Sequence, residues 1–127
     1  MFASGCGDSG PKRYHVAGKV TWAGRPIPAG VIYFDPDIAN GKDGPQGFAI
    51  IKDGQFDTRD NGQGHGGGKG LLRITACDGV PGAEAPMGKP LFPEYFWMAE
   101  LPEEDAAKDF NIPAAAARPQ SSNPYGV

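Results

Sequence analysis

The stretch "FAIIKDGQFDT", residues 48 to 58, decides the fold class. Phe48 to Lys52 is a short apolar run, Gln55 to Thr58 is a second, and Asp53-Gly54 alone separates them. A two-residue connection between strands closes best as a type I′ turn, which needs positive φ at both central positions, and Asp-Gly is a favoured pair there. This is a β-hairpin, and the rest of the chain is read outward from it.

Upstream, "YHVAGKVTW" sets Val16, Gly18, Val20 and Trp22 against His15, Ala17, Lys19 and Thr21, the period-two alternation of a half-buried strand. "AGRPIPAG" follows as a turn: Gly24 supplies positive φ, and Pro26 and Pro28 fix the chain and argue against ladder pairing. Val31 to Asp35 is a second strand, and residues 36–47 form a long loop. Downstream, Leu71 to Cys77 (LLRITAC), Phe96 to Leu101 (FWMAEL) and Lys108 to Ile112 (KDFNI) complete seven strands. The acidic turn at 102–106 is compatible with one turn of helix. Seven short strands over about 100 residues predict an all-β, seven-stranded Greek-key β-sandwich spanning residues 14–113. Residues 1–13 read as a flexible leader, and 114–127, which lack an apolar period, as a disordered tail.

Composition agrees with one β domain. The chain has 127 residues, enough for one core. Its 20 glycines and 13 prolines would suggest disorder were 39% of the chain not hydrophobic and set in short runs between turn residues. A net charge of −3 without a Lys/Arg cluster excludes nucleic acid as a partner. No apolar run reaches the ~20 residues of a membrane-spanning helix. The two cysteines, Cys6 and Cys77, make no disulfide framework; Cys77 is expected as a small residue at the edge of the core.

"NGQGHGGGKGLL", residues 61 to 72, ends a glycine tract in lysine, as a phosphate-binding loop does. Counting back from Lys69, however, Gln63 stands where the first glycine belongs, Gly70 where the magnesium-binding hydroxyl belongs, and a strand follows instead of a helix. The tract is therefore expected to be a mobile linker that crosses between sheets. His65 stands alone among glycines, so a metal or catalytic role would require the fold to join it to His15. A calcium loop starting at Asp57 fails at Arg59 and Gly68. The acidic run Glu100, Glu103, Glu104 and Asp105 reads as a solvated turn, with weak cation binding its only alternative. Serines 4, 9, 121 and 122 all lie in the expected flexible ends, so no nucleophile is placed. No cofactor, metal or catalytic residue is expected. Among the aromatics, Trp22 and one of Phe96 or Trp97 are assigned to the core. Tyr95 and Trp97, if exposed together, could stack on a sugar ring or a partner surface.

The strings "YHVAGKVTWAGRPIPAGVIYFDPD", "GFAIIKDGQFDT", "GLLRITACDG" and "PLFPEY…AELPEEDAAKDFNIP" resemble the small planctomycete-type bacterial lipoproteins with a transthyretin-like, carboxypeptidase-regulatory-like β-sandwich. The motif falls on Val16, Gly18, Val20, Gly24, Pro26, Ile27, Pro28, Gly30, Ile32 and Phe34, then on Asp53, Gly54 and Phe56. The resemblance implies an exported β-sandwich and supplies no catalytic residue, so that with no catalytic constellation in the sequence a non-enzymatic structural or interaction module is expected, and it extends to the leader: Ala3-Ser4-Gly5-Cys6 is similar to a lipobox, whose cysteine receives diacylglycerol and whose new amino terminus is acylated, palmitate included. Cys6 is thus the expected lipidation site, with the membrane of the cell envelope as partner through that anchor. An envelope protein or a glycan is the further partner. The expected localisation is the periplasmic or outer surface. Only five residues precede Cys6, so the charged and apolar parts of such a signal are expected upstream of Met1. At ~0.8 kcal/mol per buried CH₂, two or three acyl chains hold a protein firmly where one does not. Within the same fold the hydroxyisourate hydrolases end in Tyr-Arg-Gly-Ser and use paired histidines. This chain ends Pro124-Tyr125-Gly126-Val127.

Overall fold

The computed structural model describes residues 13–36 and 46–117. Cys6 and the lipobox-like residues before it lie outside the described residues, as do most of the loop after Pro36 and the chain beyond Ala117.

The protein is all-β. Its strands are β1 (Val16–Trp22), β2 (Arg25–Pro26), β3 (Ala29–Pro36), β4 (Gly47–Lys52), β5 (Gln55–Asp57), β6 (Gly68–Cys77), β7 (Tyr95–Leu101), β8 (Ala106–Ala107) and β9 (Phe110–Ile112). They form one sheet in the order β2-β1-β5-β4-β3-β6-β7, with β8 and β9 also paired to β1. All neighbours are antiparallel except β8 and β9, which run parallel to β1. The chain leaves β7 at one end of this order and re-enters beside β1 at the other. Side chains from both ends meet in one core: the rings of Trp97 on β7 and Phe110 on β9 lie 5.5 Å apart, and Phe110 is also 5.8 Å from Phe56 on β5. The sheet is therefore curled around a single apolar cluster.

The hairpin at 53–54 forms as read. Asp53 (φ 52°) and Gly54 (φ 77°) both occupy the left-handed region, and Lys52 pairs with Gln55. A second tight turn has the same signature at Ala23 (φ 52°) and Gly24 (φ 82°), joining β1 to β2. Pro26, expected to stay out of the ladder, pairs with Thr21 in β2, a two-residue edge strand where a missing N–H is tolerated.

Four further expectations are corrected. The glycine tract is not a mobile linker. Gln63 exchanges two backbone hydrogen bonds with Phe48, and His65 does the same with Tyr14. From Gly68 onward the tract is strand, three residues earlier than the sequence suggested, because Gly68, Lys69 and Gly70 find partners in Leu101, Glu100 and Ala99. The last strand is split. Between β8 and β9 the Lys108 carbonyl crosses Gly18 so closely that a Cβ there would lie 2.0 Å from its oxygen, while Asp109 Oδ1 accepts from Lys19 N at 2.9 Å. The helical turn is not at 102–106 but at α1 (Thr58–Asn61), where Asp57 caps the turn by accepting from Arg59 N at 2.9 Å. Finally, the domain extends beyond 113: Ala114–Ala117 is a 3-10 turn, and Ala116 is buried in the core. At the other end Arg13, expected in the leader, donates from Nη1 to the carbonyls of Gln46 and Gly64.

Candidate interaction surface

Strand pairing dictates which side chains share a face. In β3, β4, β6 and β7 the inward residues are Ile32 and Phe34, Ala49 and Ile51, Leu72, Ile74 and Ala76, and Leu101, with Tyr95, Trp97 and Ala99 half-buried against the same core. The outward residues of these four strands are then fixed by register. One row reads Phe48–Tyr33–Arg73–Phe96, and rows on either side read Ile50–Val31–Thr75 and Asp35–Leu71–Met98. Most of this outer face is apolar. Val31, Tyr33, Phe48, Ile50 and Phe96 are half-buried, and Met98 is 41% exposed.

The other half of the sheet looks different. There the outward positions are Ala17, Lys19 and Thr21 on β1, Gln55 and Asp57 on β5, and Asn111 on β9, with Thr21 donating to Asn111 at 2.8 Å. That half has the polar face of an antiparallel sheet open to water; the β4-β3-β6-β7 half has the two-sided apolar character of strands meant to be covered.

A polar clamp sits inside the apolar half. Arg73 Nε donates to Asp35 Oδ2 at 2.5 Å, Gln46 Nε2 donates to the other Asp35 oxygen at 2.6 Å, and Glu94 approaches Arg73 at 3.6 Å. The guanidinium lies 4.6 Å from the centre of the Tyr33 ring. The hydrogen bond that Arg73 donates to Asp35 is the main reason the Arg73 pKa is raised, so this charge is fixed. The clamp ties β3 to β6 and sets the guanidinium over the Tyr33 ring.

The sequence-derived candidates fall elsewhere. Tyr95 and Trp97 do not form an exposed platform. They meet edge-on at 6.3 Å within a chain of rings that runs Trp22–Phe92–Tyr95–Trp97–Phe110 along the core. Trp22 Nε1, in this chain, is buried without a hydrogen-bond partner. Cys77 is a buried free thiol whose pKa burial pushes up.

His15 and His65 do come together, near the start of β1, and both are used by the backbone around them. His15 Nδ1 lies 3.0 Å from the Thr58 hydroxyl, which also accepts from Val16 N. His65 is 3% exposed, and its Nδ1 accepts from Gly67 N at 2.9 Å, which leaves the proton on Nε2. Its pKa is lowered, first by burial and then by the nearby charge of His15, with Asp105 acting weakly the other way. Asp105 accepts from His15 N at 2.8 Å and pairs with Arg59 at 3.0 Å. His65 and Lys69 line a small cavity of about 80 Å³, with room for a few waters. Among the described residues no three His, Cys, Asp or Glu side chains are grouped to hold a metal ion, and no helix is long and apolar enough to cross a membrane.

The sequence did carry a signal for the apolar outer face. VIYF, FAII, LLRITAC and FWM are near-continuous apolar runs, whereas "VAGKVTW" alternates. Neither a family model, nor a curated protein, nor a solved structure matches the chain.

Proposed function

We propose that this chain is a non-enzymatic protein-interaction module, tethered at a bacterial cell envelope through lipid on Cys6, and that its curled sheet is a Greek-key sandwich of the transthyretin-like kind. The observation that carries the interaction role is the apolar outer face of β4-β3-β6-β7, set beside a polar outer face on the rest of the same sheet. An apolar patch rimmed by polar residues on a small domain marks a surface that meets another molecule. Trp97 and Tyr95 turn toward the core, so recognition through a sugar-stacking platform has less support. The two histidines spend their Nδ1 atoms on Thr58 and Gly67, which supports a structural role for them over a hydrolytic one. The tether rests on the lipobox-like residues Ala3 to Cys6.

The test is site-specific photocrosslinking in cells of the source organism. A benzophenone side chain at position 98 should give a discrete adduct with one protein, lost when Ile50→Lys is added. The same group at position 19, on the polar half, should give none. An adduct from 19 but not from 98, or none from either, overturns the proposal.

A further inference from the structure

His65 holds two segments at once. Its backbone exchanges a pair of hydrogen bonds with Tyr14, 2.8 and 2.9 Å long, and its Nδ1 accepts from Gly67 N at 2.9 Å. Through the first it fastens a strap, Arg13 to His15, that leads into β1; through the second it shapes the glycine tract on which the strap lies. The two run close together: a Cβ on Gly64 would lie 2.5 Å from the Tyr14 carbonyl oxygen, and one on Gly67 would lie 3.2 Å from the Tyr14 ring. Arg13 Nη1 adds a bond to the Gly64 carbonyl at 2.9 Å. Tyr14 is only half-buried and lies outside the core cluster, and the tract shares the cavity of about 80 Å³ with Phe34 and Leu72 in place of full packing against them. Strap and tract are thus joined more closely to each other than to the core, as in a unit that opens on its own.

The joint depends on a neutral ring. With Gly67 N–H aimed at Nδ1, the single proton of the imidazole sits on Nε2. A second proton would go on Nδ1 and set two donors against each other, in a site where the ring is 3% exposed. The lost acceptor and the buried charge both count against the closed arrangement. Surrounding charges compensate only in part. Arg13 on the strap, Arg59 on α1, Lys69 at the start of β6 and His15 once protonated all have the same sign. Of the carboxylates, Asp105 is held by His15 N and Arg59, Asp35 by Arg73, and Asp57 caps α1. Glu103 lies with its stem against Gly67, and Asp60 and Glu104 are exposed. The lowered pKa of His65 agrees with this balance.

We infer that His65 is a pH-operated latch: neutral, it fastens the strap Arg13 to His15 onto the glycine tract; protonated, it releases both while the sheet stays folded. From Val16 onward β1 remains paired to β5, β8 and β9, so release stops there. Below the ordinary histidine pKa of 6.5 the open arrangement binds a proton that the closed one refuses. The latch is therefore fully held above that pH and loosens as pH falls through it. Arg13, Tyr14 and His15 then add about 10 Å of extended chain. For a chain anchored at Cys6 this lengthens the reach of the domain from its membrane, a consequence that rests on the tether reading; the latch itself does not.

The test is amide exchange on the full, ¹⁵N-labelled chain between pH 7.5 and 5, each rate corrected for its intrinsic pH dependence. Protection at Tyr14, His65 and Gly67 should fall below pH 6.5 by up to about ten-fold per pH unit, the one-proton limit. These amides should exchange with almost no urea dependence. Ile32 and Ile74, in the paired centre of β3 and β6, should stay better protected and follow urea, since only global unfolding exposes them. His65→Asn, whose amide oxygen can still accept from Gly67 N, should remove the pH dependence, and His15→Asn should keep it. The comparison of latch and core amides on the unmodified chain stands even if either variant folds poorly. A change under about two-fold between pH 7.5 and 5, exchange of the latch amides only together with Ile32 and Ile74, or a pH dependence that survives His65→Asn overturns the inference. So does one that disappears with His15→Asn alone. Should the chain prove unacylated while the amides behave as stated, the latch stands and only its consequence for reach is lost.

Discussion

Replacing Phe110 with alanine tests whether the sheet really curls end to end. Phe110 is 1% exposed and packs between Phe56 of the Asp53-Gly54 hairpin and Trp97 of the far edge strand, at 5.8 and 5.5 Å. Truncating a buried phenylalanine costs about 3–5 kcal/mol. Each of its two ring pairs accounts for about 0.5–1.5 kcal/mol of that. β9 is only three residues long and can relax toward the gap, so the lower part of the range, about 3–4 kcal/mol, is expected. Against a total of ~5–15 kcal/mol for a domain of this size, the variant should still fold at 25 °C. Its melting midpoint should fall by about 12–32 °C, at roughly 4–8 °C per kcal/mol. Urea unfolding followed by tryptophan fluorescence measures the loss, and an unchanged m-value keeps the comparison two-state. A double-mutant cycle with Trp97→Ala should return a coupling of about 0.5–1.5 kcal/mol. Met98→Ala, one residue along β7 on the other face, should cost under about 1 kcal/mol. A Phe110→Ala loss below about 1 kcal/mol, or no coupling to Trp97, would refute the closure of β9 onto β7.

Three other outcomes follow from the same geometry. Gly18→Ala drives a Cβ into the Lys108 carbonyl and should destabilise by about 1–3 kcal/mol or more, whereas Gly82→Ala, whose Cβ meets nothing within 4 Å, should be neutral in the same urea titration. Because the folded pKa of His65 lies below its ordinary 6.5, the unfolded chain binds the extra proton as pH drops through 6.5, so stability is full above that value and declines below it. The slope is bounded by the one-proton limit of ~1.4 kcal/mol per pH unit and should flatten in His65→Asn, whose amide oxygen can still accept from Gly67 N; urea midpoints between pH 7.5 and 5 that do not move would contradict the burial argument. Expressed behind a complete secretory signal, the protein should enter the membrane fraction and carry acyl mass; Cys6→Ser should abolish both and Cys77→Ser neither, as fractionation with mass spectrometry would show.

How far the sequence could be read depended on how local the determining contacts are. The hairpin at Asp53-Gly54 and the alternation of Val16, Gly18, Val20 and Trp22 act within a few residues, and both were legible. Ala23 was not: nothing about alanine announces positive φ, which the neighbouring Gly24 and the β1–β2 pairing impose. The split of the last strand depends on its lying parallel to β1, some ninety residues earlier, and no local pattern encodes that partner. The glycine tract was misread because glycines look like a linker until a crowded backbone explains them. A Cβ on Gly62 would lie 2.1 Å from the Phe48 carbonyl oxygen, and one on Gly70 would lie 2.4 Å from that of Asp35. At the surface, the aromatic residues drew the eye to Tyr95 and Trp97, while register turns Phe96 and Met98 outward instead. The near-continuous apolar runs were the better guide, since strands with one wet face alternate and these do not.

The central claim is that a partner docks on the outer face of β4-β3-β6-β7. The most direct measurement is the urea stability of the isolated chain carrying Ile50→Thr and Met98→Thr together, substitutions that keep β propensity and remove apolar surface. An uncovered face predicts a combined loss within about 1 kcal/mol, together with loss of the crosslink from a benzophenone at position 48. A combined loss of about 3 kcal/mol or more, the cost of polar groups set into a packed interior, would mean that the chain covers this face itself and would contradict the account.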